Sequence, residues 1–484
     1  MTRSIPWPMQ QVAAVAALTA IVVCGDAGAA EPASRDTLFG APPADAAKDA
    51  APSSKDALFG APPADASSKD ALFGTPEGQG IRFSGFLDGL AAFSYDEPAH
   101  WSRAVARLEL AAQGSLAPGV RWKLSGRVDA DPVYWGSNFY PNSVKSDQRL
   151  DFFYRENYLD FSAGGWDFRV GAQQIVWGEV VGLYFADVVS ARDMREFLLP
   201  SFDIMRIPQG AVRAEHTWGD SHLELIWIPV PAFDDIGKPG SDFYPVPLDL
   251  PAGEDVTHLF ADPTRPKRSL SNSNYGVRAN TLINGWDLSA FYYRSYSTSP
   301  TFYRVPGSGG DPYRFEPAYD RISQVGATVS QDLGPAVLRG EAVYTHGRSF
   351  ALSDLTVYPS TVERPTFDYI VGLEWALPHD TRLNVQGFQR MYTGGGGDGI
   401  AFANEGFGAT VLLSTKLTPT LEPEVLWVRN FHDGGQMVRP RVNWTAARNL
   451  TVSFGVDIFS GPRDTFFGRY GDRDRVYTEA RYAF

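Results

Sequence analysis

Arginine, lysine and carboxylates recur at alternate positions of otherwise apolar stretches, a spacing suited to handling solutes rather than breaking bonds. Arg121, Lys123, Arg127 and Asp129 alternate with Val120, Trp122, Leu124 and Val128. The same phase carries Arg169, Arg213, Arg278, Arg339, Glu341, Arg382, Arg439 and Arg441 elsewhere. Residues two apart on an extended chain share a face, so these charges are expected to line one wall and to tune which solutes pass along it. Any single one is expected mainly to pair with a neighbour across the sheet. Catalytic patterns are weak by comparison. Seven histidines are scattered without the paired spacing of a zinc site. The run Gly394–Gly399 lacks the Gly-Lys-Ser/Thr of a phosphate loop, and no Gly-x-Ser-x-Gly elbow occurs. His216 and His222 flank a short turn, but Ser221 lies in that turn and supplies no placed nucleophile. The expectation is a non-enzyme with no metal and no cofactor.

A second set of candidates is clustered. Gly171-Ala172-Gln173-Gln174-Ile175-Val176-Trp177-Gly178-Glu179 runs into a segment holding Asp187, Arg192, Asp193, Arg195 and Glu196 among Phe185, Phe197, Leu198 and Phe202. That mixture is too apolar for a loop in water. Two placements stay open: folded inward as a constriction, or packed on neighbouring loops as a lid. Ser190–Leu199 is the best helical stretch, with Ser190 as N-cap and Asp193 three residues on. Asp234, Asp235 and Asp242 lack the spacing and the bidentate Glu of a calcium loop and read as a solvated acidic surface.

The elements that must carry these residues are strands. Eight short connections fall near 115–119, 162–165, 218–221, 283–285, 332–335, 377–380, 416–420 and 445–449. They alternate with nine mostly longer ones at 95–102, 131–150, 178–208, 229–272, 298–319, 347–366, 393–405, 432–435 and 460–473. Tight turns at one end and long loops at the other, joined by alternating strands of roughly ten residues, describe a transmembrane antiparallel β-barrel. The count is about 18 strands, with 16 as the nearest alternative. Trp122, Trp166, Trp218, Trp286, Trp375 and Trp444 gather near the short turns, on the scale of an interfacial aromatic belt. The last strand ends on Phe484, as outer-membrane barrels presented to their assembly machinery resemble. Closure has a physical cause, because lipid satisfies no exposed backbone group.

Composition agrees. The 484 residues are 44% hydrophobic, too apolar for a disordered chain, and no run after residue 23 approaches a membrane-spanning helix. A net charge of −13 argues against a nucleic-acid partner. Residues 1–30, with Arg3, an apolar stretch at 12–23 and the small residues Ala27–Ala30, read as a signal peptide, so Cys24 would leave with it. Residues 31–80 repeat Gly-Ala-Pro-Pro-Ala-Asp-Ala and Leu-Phe-Gly units and read as a disordered periplasmic tail. A flexible linker, a docking segment for a periplasmic partner and a strand threaded into the lumen all fit that tail. The barrel is expected over 81–484, in the bacterial outer membrane with its lipid as the surrounding partner.

The Gly171–Glu179 pattern and the Ser190–Asp193 segment resemble porin-like outer-membrane proteins catalogued as domain of unknown function thirteen-zero-two. The resemblance covers most of residues 81–484 and implies an outer-membrane barrel, of a kind often encoded beside efflux-type transporters for hydrophobic or aromatic compounds. The charged inward phase points instead to polar cargo. The alternative to a channel or transporter is a plugged barrel that binds or anchors a periplasmic or efflux complex.

Overall fold

The computed structural model describes residues 80–484, apart from 179, 181–184, 247–255, 308–310, 312, 355–357, 359, 396–398 and 402–404. The expected signal peptide, the Leu-Phe-Gly units and Glu179 therefore lie outside the described residues. Eighteen strands form one antiparallel sheet that closes on itself. The first, Arg82–Ser94, pairs both with His100–Ala117 and with the last, Arg475–Ala483, in a register running from Phe86↔Ala483 to Ser94↔Arg475. Phe484 completes the seam: its N–H donates to the Gly85 carbonyl at 3.0 Å, and Gly85 N–H donates back at 2.8 Å. This sheet has no open edge, as lipid requires.

Turn chemistry sets the registers at one end. Ile283 and Trp286 are partners across Asn284-Gly285, whose φ values of 51° and 82° are both positive. That is the Asn-Gly turn whose twist matches paired strands. All eight expected short connections fall at one end, and the nine longer ones, from 95–99 to 461–474, fall at the other.

Strand alternation sorts the side chains. Leu110, Leu124, Phe152, Val170, Val325, Val371, Val385, Val442 and Phe454 stand exposed on the outer surface. Trp218, Trp286 and Trp444 are exposed beside the short turns. Away from the turns, the residues alternating with the outer set point inward and are buried or half-buried. One strand breaks the rhythm. Between Leu124↔Asn157 and Gly126↔Tyr154 the register slips, so Arg155 and Glu156 together oppose Ser125. Both side chains are buried, and the Ser125 hydroxyl accepts the Glu156 amide at 2.9 Å while donating to its carbonyl at 3.1 Å. This bulge sends two successive residues to the inner face.

The expected helix over Ser190–Leu199 does not form. Ala191–Arg192 instead pairs with Arg206–Ile207, and a four-residue helix occupies Phe202–Met205. Asp193 spends its carboxylate on the Arg195 guanidinium, at 2.7 Å, rather than capping a helix. Phe197, Leu198 and Leu199 are all buried against one apolar cluster, and three consecutive residues cannot share one face of a helix.

Candidate functional site

The chain leaves the wall at Gln173 and returns at Gln209, which are register partners on adjacent strands. The described residues between them fold into the lumen. Gly171 begins the inward turn with φ +133°, where a Cβ would lie 2.2 Å from the Asn157 carbonyl oxygen. Gln173 is fully buried and donates from Nε2 to the carbonyls of Arg169 and Ala211, each at 3.2 Å. Gln209 mirrors it, donating to the carbonyls of Val189 and Ala232 at 3.3 and 3.2 Å. The Trp177 ring then packs on Phe291 at 5.1 Å and over Gly276, where a Cβ would approach it to 2.8 Å. The sequence pattern around Gln173 and Trp177 is thus a hinge that steers the segment off the wall.

The inserted segment reaches every side. On the near wall, Ile175, Trp177, Ala186 and Val189 pack against Ile226, Ile228, Phe291, Tyr293 and Val343. Glu341 accepts the backbone amides of Val180 at 2.9 Å and Ala186 at 2.8 Å. Across the lumen, Phe197, Leu198, Leu199, Phe202 and Met205 lie on Ile370, Phe388, Leu412, Leu426, Val428, Met437 and Phe459. Those seven wall residues come from six consecutive strands, Thr366–Leu377 to Leu450–Ser460.

The remaining arc is cationic. Glu196 sits among three guanidiniums, Arg103 at 3.1 Å, Arg107 at 3.2 Å and Arg475 at 3.1 Å. Arg439 donates to the carbonyls of Leu198 and Leu199 at 3.3 and 2.8 Å, and Arg127 to that of Ile204 at 3.0 Å. Arg155 holds the carbonyls of Arg206 (2.6 Å) and Asp203, and Arg481 pairs with the Asp203 carboxylate at 2.5 Å. Such charge-assisted bonds in a site of low dielectric are the strong ones.

The other charged residues singled out in the sequence divide between this layer and the space nearer the short turns. Arg127, Glu341 and Arg439 belong to the layer and touch the inserted segment. Within the segment, Asp187 accepts Arg206 at 3.2 Å, Arg192 donates to the Asp187 carbonyl at 2.5 Å, and Arg195 joins Asp193 to Asp151 at 2.7 and 2.5 Å. Elsewhere the inward charges pair along the wall: Lys123 with Glu156 (2.7 Å), Arg169 with Asp160 (2.7 Å), Arg213 with Glu215 (2.6 Å), Arg339 with Glu374 (2.5 Å) and Arg441 with Glu424 (2.8 Å). Arg121 approaches Asp160 at 3.9 Å, while Arg278 and Arg382 are half-buried on their strands. Exposure varies along the lumen. The side chains of Arg121 and Arg339 are 31% and 21% exposed, against 1% for Arg127 and 2% for Arg475. The order is not strict, since Arg481 at the segment is 30% exposed and Arg169 on the wall only 9%.

The histidines serve other ends. His216 donates from Nδ1 to the Gly165 carbonyl (2.7 Å) between the rings of Trp166 and Trp218, and His222 meets Glu215 at 3.1 Å. Ser221 bonds Thr281 at 2.9 Å rather than either imidazole. No cluster of metal-ligating residues occurs among the described residues.

Two groups were hidden from the sequence. Arg155 was masked by the bulge. The inward apolar arc was masked by the rule that apolar residues face lipid; the signal for it is the unbroken runs Val411-Leu412-Leu413 and Val425-Leu426-Trp427-Val428, which mark strands covered on both faces.

A family model described as a protein of unknown function, DUF1302, matches residues 126–394, more than half of the chain. The chain belongs to this family. The matched DUF1302 region contains the hinge, the whole inserted segment and Glu341, whereas Arg103, Arg107, Arg439 and Arg475 lie outside it. Among curated proteins no sequence matches. Solved structures similar to this DUF1302 chain include OpdK of Pseudomonas aeruginosa with vanillate, at 10% identity and a TM-score of 0.48 over 84% of this chain and 98% of that one. Salmonella typhi OmpF in complex with daunomycin is similar at 11% identity and 0.42, over 84% and 97%. OmpT, an outer-membrane protein of Vibrio cholerae, is similar at 10% and 0.40, over 84% and 97%. At such identities the likeness concerns barrel architecture alone.

Proposed function

We propose that this protein is a porin-like channel of the bacterial outer membrane that passes small molecules selectively and does no covalent chemistry. One observation carries the reading: a closed barrel with an apolar outer surface has a charged, partly exposed inner wall toward its short turns and, across its middle, an inserted segment packed on both walls. A purely structural barrel gains nothing from a wet, charged lumen, since buried charges without a task cost more than apolar packing. The wall charges Arg121, Lys123, Arg169, Arg213, Arg278, Arg339, Arg382 and Arg441 line the entry from the short-turn side. Asp187, Arg192, Asp193, Arg195 and Glu196 form the constriction with Arg127, Glu341 and Arg439. In this reading the leader is removed on export, the assembly machinery takes the terminal strand ending at Phe484, and the short turns and Leu-Phe-Gly tail face the periplasm, where the tail is free to meet a partner.

Single-channel recording of the refolded mature protein in a planar bilayer, across a salt-gradient series, tests this. The expected outcome is small discrete steps with a measurable ion preference. A folded barrel that stays silent under every gradient would instead favour a plugged barrel that binds or anchors a partner, the reading supported by the segment's contacts with both walls.

A further inference from the structure

The tip of the inserted segment has the chemistry of a ligand rather than of a spacer. Glu196 gives its carboxylate to Arg103, Arg107 and Arg475 at 3.1–3.2 Å. The next residue, Phe197, places its ring 4.8 Å from Tyr470, 5.1 Å from Phe466 and 6.0 Å from Phe459. Phe197 does so at φ +54°, a conformation that L residues other than glycine, Asn and Asp rarely adopt. The backbone is bent to deliver an acid into one subsite and an aromatic ring into the next, and such local strain persists only where the surroundings over-determine it. Resting on the channel function proposed above, we infer that Glu196-Phe197 occupies a wall site for amphiphilic organic acids, a carboxylate joined to an aromatic body, and that such a solute competes with the tip and frees the constriction.

Charge supports the class of ligand. Arg103, Arg107 and Arg475 also face the wall carboxylates Asp131, Asp88 and Asp457, at 3.4, 2.7 and 2.8 Å. Withdrawal of Glu196 takes one carboxylate partner from each of these buried guanidiniums and one negative charge from the cluster, and losing a partner from a buried ion cluster is unfavourable. A neutral solute cannot relieve that deficit and an anion can. A small anion such as butyrate leaves the aromatic subsite empty, so both parts of the ligand are required. The strain at Phe197 favours release once a substitute acid is present.

The first test uses the unaltered protein. Hydrogen–deuterium exchange over residues 190–206 of the intact barrel in detergent is compared with 4-phenylbutyrate, its uncharged amide and butyrate. Exchange is expected to rise about tenfold with 4-phenylbutyrate only, the scale of one lost charge-assisted contact. Equal effects of all three compounds, or no effect of any, overturn the inference. Glu196→Gln is expected to raise exchange without ligand and to lose most of the response, with heat-modifiable gel mobility reporting that the barrel is folded. Bilayer recording of the same samples separates the two proposals. Freed exchange with no current supports the site and removes the channel; current with no selective response does the reverse.

Discussion

Gln173 and Gln209 show how much a single side chain can decide. Gln173 ties the two strands of the neck together through the carbonyls of Arg169 and Ala211, and Gln209 joins the inserted segment at Val189 to the neighbouring loop at Ala232. Gln173→Leu keeps the volume but strands buried carbonyls, an expected cost of about 1–3 kcal/mol. It should appear as faster hydrogen exchange in 174–208 while the barrel strands keep their protection. Unchanged exchange there would remove the hinge role. At this scale the sequence was legible where alternation held. Arg127, Glu341 and Arg439 were placed on the inner phase by counting in twos, and they touch the segment. Arg155 was not, because the bulge opposite Ser125 shifts the phase and no residue type announces it. The contacts of Arg103, Arg107 and Arg475 with Glu196 join positions up to 279 apart, a distance over which local pattern is mute.

Among the elements, the outer loops are knotted at Asp242. Its carboxylate meets His100 at 3.0 Å, the Tyr140 hydroxyl at 2.6 Å and Arg473 at 3.4 Å, tying three long loops and the start of a strand together. Burial alone would lift the Asp242 carboxyl, but His100, Arg473 and the Tyr140 hydroxyl outweigh it and hold it below the usual carboxylate range. A carboxyl depressed in the folded state stabilises fully above its unfolded value near ~4, and that contribution drains away as pH falls through the lower native value. Pepsin should therefore begin to cut 131–149 and 229–246 as pH drops from about 5 toward 2, and Asp242→Asn should flatten that dependence. Loop susceptibility that tracks pH equally in the variant would discount the knot. Asp242 read as a solvated acidic residue because its partners come from distant loops. The helix expected over Ser190–Leu199 failed for a related reason: apolar residues on several sides of the segment answer to walls on several sides of the lumen, which a local window cannot see.

For the whole molecule, the alternation of eight short and nine longer connections was the strongest feature of the sequence, because a barrel in lipid must return every strand across the same thickness. The inner apolar arc was the weakest, since an inward Leu or Phe looks like a lipid-facing one read out of phase. The arrangement predicts the effect of excision. Replacing 174–208 by a two-residue Asn-Gly turn should give a barrel that still runs as a heat-modifiable band and conducts severalfold more current, as a wide lumen without its insert allows. Failure of that variant to close would show that the segment is needed for the wall itself.

The pairing of Gln173 with Gln209 carries one further consequence. The strands that flank the insert meet as an ordinary hairpin neck, so the ladder around the membrane is complete without it. Frame and cartridge are separable in structure. Descendants of this barrel can rewrite what crosses the lumen, acid by acid and ring by ring, while the face turned to the bilayer stays as it was.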